Sequence, residues 1–285
     1  MALSSTRAHD MMLEESRRLH DGVSDEHFPI NTVRTPETIR ERVAEYERLS
    51  ATVQALMIAG CRWGQSAHEA LWRQCVETLA GEPSRLGGSI EWMRLSSYPA
   101  LLALYAGGLS ATASGNYDNL ANLLVRGSTW RNGDELPLVV ALSTDRVFYD
   151  DAAKYLSTDI TLWAPVSEHL HAVLRDPLRE YTPQQEQYDK HFDRFEFLLT
   201  LVYGDETSKR GFGTWLPFGR FSRRVRNARS HGYYNVVEAI RKEADAAGNR
   251  WPPLHAGLFD GSIEHFNTVF NSYVPYLERV IAGWI

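Results

Sequence analysis

Apolar residues recur at spacings of three and four along most of this chain, a period that predicts helices. One such helix opens at Thr35-Pro36, an N-cap residue followed by a first-turn proline. Ile39, Val43, Tyr46, Leu49, Val53 and Leu56 then form one apolar face that must be buried, and the helix ends near 60–64. Before it, across a loop at 22–33, a polar helix runs from Ser4 or Ser5 to about His20. A third helix over 67–79 stops before Gly81 and Pro83. Residues 99–109 are apolar all round, as in a helix enclosed by other helices, and Ala103, Ala106, Gly107 and Gly108 would let neighbours approach closely. Gly115 and Asn116 break this run, and a short helix over 117–124 follows.

Residues 128–134 read as a loop, and 136–142 as the strand candidate or an extended connector, since a lone strand has nothing to pair with. Short helices are predicted over 145–156 and 165–174. Thr182, Pro183 and Gln185 form a capping-box pattern that opens the clearest helix of the chain, with Tyr188, Phe192, Phe195, Leu199 and Val202 as its stripe and Gly204 as its end. Asp189, His191, Asp193 and Glu196 alternate with that stripe and are expected on a solvated face. An aromatic-rich loop at 211–219 leads to helices over 221–230 and 235–247, separated by His231-Gly232, with Gly248 as a C-cap. Ser262 caps a last helix kinked at Pro275. The pattern predicts an all-α fold of about ten helices, a multi-helix bundle or solenoid-like array. It forms a single domain over 1–285 with at most a minor β element near 136–142; any subdivision falls near 127–137.

With 285 residues, 44% hydrophobic and 23% charged, the composition excludes bulk disorder, collagen-like repeats and a disulfide scaffold. Cys61 and Cys75 each sit in a predicted helix and read as buried thiols of a reducing compartment. The N-terminus lacks the apolar core of a secretory signal, and the longest apolar run falls short of the roughly twenty residues of a membrane span. A cytoplasmic protein without membrane contact is the expectation. No phosphate-binding glycine loop, dinucleotide fingerprint, zincin motif, nucleophile elbow or C-x-x-C pair is present. His169 and His171 stand two apart on a helix and point in different directions, so no metal site is assigned to them, and no cofactor is implied.

The charge is uneven. The net charge is -6, yet residues 207–237 hold no acid and carry Lys209, Arg210, Arg220, Arg223, Arg224, Arg226 and Arg229, a local +7 that leaves -13 elsewhere. Such a field attracts phosphate even on an acidic protein. Within it, Arg226-Asn227-Ala-Arg-Ser-His231-Gly232 has the form R-x4-H, with Asn after the Arg and Gly after the His. This resembles the active-site motif of the HEPN family, all-helical proteins many of which are metal-independent RNases that pair two protomers in one cleft. The resemblance, which covers about the last hundred residues, implies a homodimer in which Arg226 holds the scissile phosphate. His231 acts as general base or acid on the ribose 2′-hydroxyl, and Asn227 orients the His or the substrate. Arg220, Arg223, Arg224, Arg229, Lys209 and Arg210 would then bind backbone phosphate, and Tyr233, with Trp215, Phe218 or Tyr234, would stack on unpaired bases. A bare R-x4-H is a short pattern, and Arg250 and His255 form a second one in a Pro-Pro context.

The segments 97–109, 195–203 and 254–262 resemble a different group, the C-terminal helical regions of large bacterial multidomain proteins, often in defence contexts. That resemblance implies a non-catalytic sensor or scaffold with a protein partner. Three functions are therefore expected in order: a helical interaction or sensor module, plausible as part of a bacterial defence-type system; a metal-independent RNase acting through Arg226 and His231; and an RNA-binding helical protein using the basic stretch 209–229.

Overall fold

In the computed structural model, residues 5–64, 68–81, 88–131, 133–157, 163–212, 217–231 and 234–283 are described. Helix α1 (Ser5–Gly22) precedes α2 (Pro36–Trp63), whose start follows from its cap. Thr35 is extended; its hydroxyl accepts the Thr38 N–H at 3.2 Å, and the Thr38 hydroxyl accepts the Thr35 N–H at 2.9 Å. Ile39, Val43, Tyr46 and Val53 are buried as their spacing requires, with Leu49 and Leu56 at the margin of the core.

After α3 (Glu69–Ala80) and α4 (Ile90–Leu95) comes α5 (Tyr98–Ser114), in which every residue from Tyr98 to Thr112 is buried. It packs on α2, α3, α6 (Tyr117–Leu124) and the later helices α9 (Pro165–Arg175) and α10 (Gln185–Lys209). Two glycines set how close two of them lie. A Cβ on Gly107 would fall 2.8 Å from the Met57 methyl and 2.9 Å from Cys61 Sγ of α2, and one on Gly108 would fall 2.2 Å from the Phe195 ring of α10. The helix ends at Gly115 in the left-handed conformation. Cys61 and Cys75 are free and buried.

The strand expected over 136–142 lies earlier. Residues 128–134, expected as loop, supply β1 (Ser128–Arg131), and β2 (Asp134–Pro137) pairs with it antiparallel, Trp130 opposite Glu135. Thr129 is buried and Trp130 exposed, the alternation of a strand with one wet face. Residues 138–141 instead form α7 (Leu138–Ala141), buried on all sides: an unbroken apolar run is satisfied by a short enclosed helix as well as by a strand.

The remaining elements are α8 (Thr144–Val147), a 3-10 turn (Asp150–Leu156), α9 (Pro165–Arg175), α10 (Gln185–Lys209), α11 (Phe221–His231), α12 (Val236–Ala247), α13 (Pro252–His255) and α14 (Ile263–Gly283). The expected caps hold at Gly248 and Ser262, and Asn235, expected as the first residue of its helix, is its N-cap instead. Two expectations for α10 fail. Thr182 turns back to donate to the Leu178 carbonyl at 3.0 Å, and Gln185 accepts from Arg175, so no capping box forms. Gly204 does not end the helix: its flanking residues Tyr203, Asp205 and Thr207 are buried, and that packing outweighs the roughly 1 kcal/mol cost of an internal glycine. The fold is all-α with one small hairpin, and buried apolar residues from Met12 to Ile281 share one core cluster.

Candidate functional site

Asp189, Asp193 and Glu196 stand at i, i+4 and i+7 on α10, one stripe of a single helix. Asp193 is only 1% exposed and Glu196 2%, which corrects the solvated face expected from sequence. The reason is the helix's surroundings. Phe197, Leu198 and Leu201 are fully buried along with Phe192 and Phe195, so apolar packing claims most of the circumference. The carboxylates face other elements rather than water.

Those elements are α9 and the start of α11. Arg220 reaches Glu168 at 3.2 Å and Asp189 at 3.3 Å; Arg224 reaches Asp189 at 3.2 Å and Asp193 at 2.6 Å. His171 Nε2 lies 2.7 Å from the same Asp189, while His169, two residues earlier, turns to Glu47 at 2.6 Å. The two imidazoles diverge as their spacing requires. Partial burial opposes charge on Asp189, but the hydrogen bond with His171 and the charge of Arg220 hold its carboxyl well below the usual range. Burial pushes Asp193 the other way, up to about 7, although Arg224 and Arg220 oppose the rise.

The other residues of the basic segment are placed as follows. Lys209 is paired with Asp205, Glu206 and Asp260 at 3.0, 3.2 and 3.3 Å. Arg210 and Arg223 are exposed, Arg226 is half-buried and Asn227 is exposed with a bonding partner. Arg229 and His231 belong to α11 by backbone, but their side chains lie outside the description, as do Trp215 and Tyr233 entirely. Positions 226 and 231 share one helix and so stand about 140° apart around its axis. They do not share a face of one chain. Phe218 stacks on Tyr276 at 5.5 Å, and Tyr234 lies beside Lys190.

At the C-terminal side of the carboxylate stripe a cavity of about 700 Å³ opens among α8, the 3-10 turn, α9, α10, the residues before α11, and α14. Glu196 faces it. Its Oε1 accepts from Ser167 Oγ at 2.6 Å and from the Tyr105 hydroxyl at 3.3 Å, and the Arg220 N–H donates to Ser167 Oγ at 2.9 Å. Its Oε2 is buried without a hydrogen-bond partner. A buried polar atom left unpaired costs on the order of 1–3 kcal/mol. Burial accordingly pushes the Glu196 carboxyl up to about 8, with the negative charge of Asp193 adding to it against the hydrogen bond from Ser167. Gly219 forms the adjacent wall and must be glycine, because a Cβ there would lie 2.2 Å from Glu196 Oε2. That wall is pinned by Ser222 Oγ, which donates to the Gly219 carbonyl and accepts from Trp163 Nε1, both at 2.7 Å.

A second concavity, about 760 Å³ between α11, α12 and α14, is lined by Val237, Phe270 and Leu277 with mixed charges at its rim; none of its polar side-chain atoms is left buried and unpaired. Among the described residues no group of three or more His, Cys, Asp or Glu is arranged to hold a metal ion, and no helix is long and apolar enough to cross a membrane. Sequence reasoning missed Glu196, Ser167, Tyr105 and Gly219. Two signals were present: the i, i+4, i+7 spacing of the three acids, and a +7 segment free of acids that had to find its counter-charge elsewhere.

No family model matches this chain, and no curated protein and no solved structure is similar to it.

Proposed function

We propose that this chain is a non-catalytic helical sensor module that takes a small molecule into the Glu196 cavity and signals its presence to a protein partner through α11. The observation that carries the reading is the buried, unpartnered Oε2 of Glu196, a residue that lines a cavity large enough for a small molecule. The link to α11 is electrostatic. Asp193, one turn from Glu196, grips Arg224 at 2.6 Å, and the outward positions of α11 hold Arg223 and Arg226. A ligand that alters the charge of Glu196 alters the field at Asp193, and with it the hold on Arg224. The defence-type setting rests only on the resemblance of the apolar helix segments.

The test joins a melting measurement to hydrogen exchange. A low-molecular-weight metabolite extract should raise the melting temperature and slow amide exchange across α11. Ala153→Trp, which fills the cavity from the 3-10 turn, should abolish both effects. An extract that stabilises neither protein, or both equally, would overturn the reading.

A second reading is favoured by Arg223 and Arg226, which stand one turn apart and make no ion pair with a described residue. They suit the phosphates of an RNA, and in the RNase form of this reading His231 would come from a second copy, since positions 226 and 231 diverge within one helix. RNA cleavage in EDTA, compared between wild type and His231→Ala over a protein-concentration series, tests it. Cleavage that survives His231→Ala, or its absence in both, would end the RNase form.

A further inference from the structure

The charges lining the Glu196 cavity are unbalanced. Asp145, Asp150 and Glu196 contribute three carboxyls, and Arg94 is the one cation among the described lining residues. That cation is engaged, its guanidinium 4.3 Å from the centre of the Tyr149 ring. Asp150 is neutralised from outside by Arg34 at 3.1 Å. An anionic ligand would meet three carboxyls against one cation, Arg94, whose guanidinium lies on the Tyr149 ring. The apolar walls are aromatic: Tyr105, Phe148, Trp163, Phe218 and Tyr276 supply ring faces and edges. Aromatic faces beside a carboxylate make a setting in which an organic cation keeps its charge away from water.

We propose that this cavity binds an organic amine, its ammonium donating to Glu196 Oε2 and its aromatic or alkyl body lying among the rings. The proposal rests on the sensor reading above and names the chemistry of its ligand. Both hydroxyl donors, Ser167 and Tyr105, converge on Oε1 and leave Oε2 as the atom with capacity to spare. Gly219 packs its bare backbone against Oε2, where a Cβ would fall 2.2 Å away, so no side chain stands between this buried atom and a ligand that displaces the loop slightly. Every other group facing this carboxyl is committed or uncharged. Asp193 on α10 holds Arg224; Arg220 holds Glu168 and Asp189; Tyr273 on α14 is a buried phenol whose ionisation burial suppresses. Among the described residues no cation is left to pair with Glu196, and an ammonium ligand would bring one.

Proton balance gives the proposal a signature. In the empty protein Glu196 keeps its proton at neutral pH because burial outweighs the hydrogen bonds from Ser167 and Tyr105 and the charge of Arg220. Binding an ammonium replaces the protonated acid by a carboxylate–ammonium pair and releases that proton to solvent. Amine affinity should therefore rise by about tenfold per pH unit from pH 6 toward 8 and level off above it.

Calorimetric titration of the full chain would use 2-phenylethylamine, tryptamine and hexylamine, with 2-phenylethanol and 3-phenylpropanoate as neutral and acidic counterparts. The expected result is binding of at least one amine, about tenfold or more tighter than the alcohol, with the acid silent. Close to one proton should be released at pH 7, read from buffers of different ionisation heat. Glu196→Gln should cost the amine about tenfold or more and spare the alcohol, and it should abolish proton release. Ala153→Trp should remove binding of both while leaving Glu196 intact. Binding of the alcohol or acid in preference, or full amine affinity in Glu196→Gln, overturns the ligand class and leaves the sensor reading standing. If no amine binds, the ligand class falls; if the metabolite extract is silent as well, both fall.

Discussion

At the residue scale the energetics turn on where three carboxyls of one helix face lie. Asp189 is held ionised by His171 and Arg220, whereas Glu196 is held protonated by burial. The pH dependence of stability should follow from the second. Below about pH 4 the folded and unfolded chains both carry the Glu196 proton. Between there and about pH 8 the unfolded carboxyl has lost its proton while the buried one keeps it, so stability falls as pH rises through this window and levels off above it. Asp193 adds to the same fall up to about pH 7. Glu196→Gln removes the larger part. It should raise stability at pH 8 by roughly 1–3 kcal/mol, change it little at pH 4, and flatten the curve between. Denaturant melts of both proteins at pH 4, 6 and 8 would show it; a variant less stable at pH 8 than wild type would mean that Glu196 is ionised and compensated when folded. Arg224→Ala tests the neighbouring pair. With Arg224 gone, Asp193 loses its ion-pair partner while Asp189 keeps Arg220 and His171; because Asp193 can take up a proton in place of the lost cation, a loss of about 1–3 kcal/mol is expected. Arg223→Ala, one position along α11 and exposed, should stay within about 0.5 kcal/mol.

At the scale of elements, local chemistry predicted what local chemistry decides. Thr35-Pro36 fixes the start of α2, and Asn116 with Gly115 fixes the helix Tyr117–Leu124, because caps act over one turn. What escaped the sequence depended on neighbours. Residues 138–141 are apolar without alternation, a pattern shared by a buried strand and a buried helix turn, so a lone strand or connector is expected there and the hairpin one segment earlier is not. Alternating acids on α10 look solvated until α9 and α11 cover them. The Glu196 cavity was illegible for the same reason, since its walls come from residues as distant as Tyr105 and Tyr276. The glycines of α5 show how such packing can be measured. Gly108→Ala places a methyl 2.2 Å from the rigid, fully buried Phe195 ring, and should cost roughly 1–3 kcal/mol despite the better helix propensity of alanine. Gly107→Ala meets the ends of Met57 and Cys61 instead, of which the methionine can swing aside, so its cost should be clearly smaller. Equal costs in thermal melts would show that α5 shifts as a unit rather than being locked against α10.

At the scale of the whole molecule, the basic segment matters less for its sum than for what remains unpaired. Seven cations in residues 207–237 suggest a strong phosphate-binding surface. The fold assigns Lys209, Arg220 and Arg224 to carboxylates of α9, α10 and Asp260, leaving Arg210, Arg223 and Arg226 as the described cations outside ion pairs, with Arg229 beyond the description. Affinity for single-stranded RNA should reflect this division. Counterion release gives a slope of log affinity against log salt of about -0.7 for each phosphate neutralised. Seven cations would give about -5, whereas three or four give about -2 to -3. The expected slope for this chain is the shallower one, and Arg223→Ala combined with Arg226→Ala should reduce it by about 1.4. Fluorescence anisotropy of a labelled single strand over a salt series measures both quantities. A slope near -5 would mean that RNA draws Arg220 and Arg224 out of their bridges to Asp189 and Asp193. The charge network beside Glu196 would then open on RNA binding, and the cavity and the basic face would act as two ends of one switch.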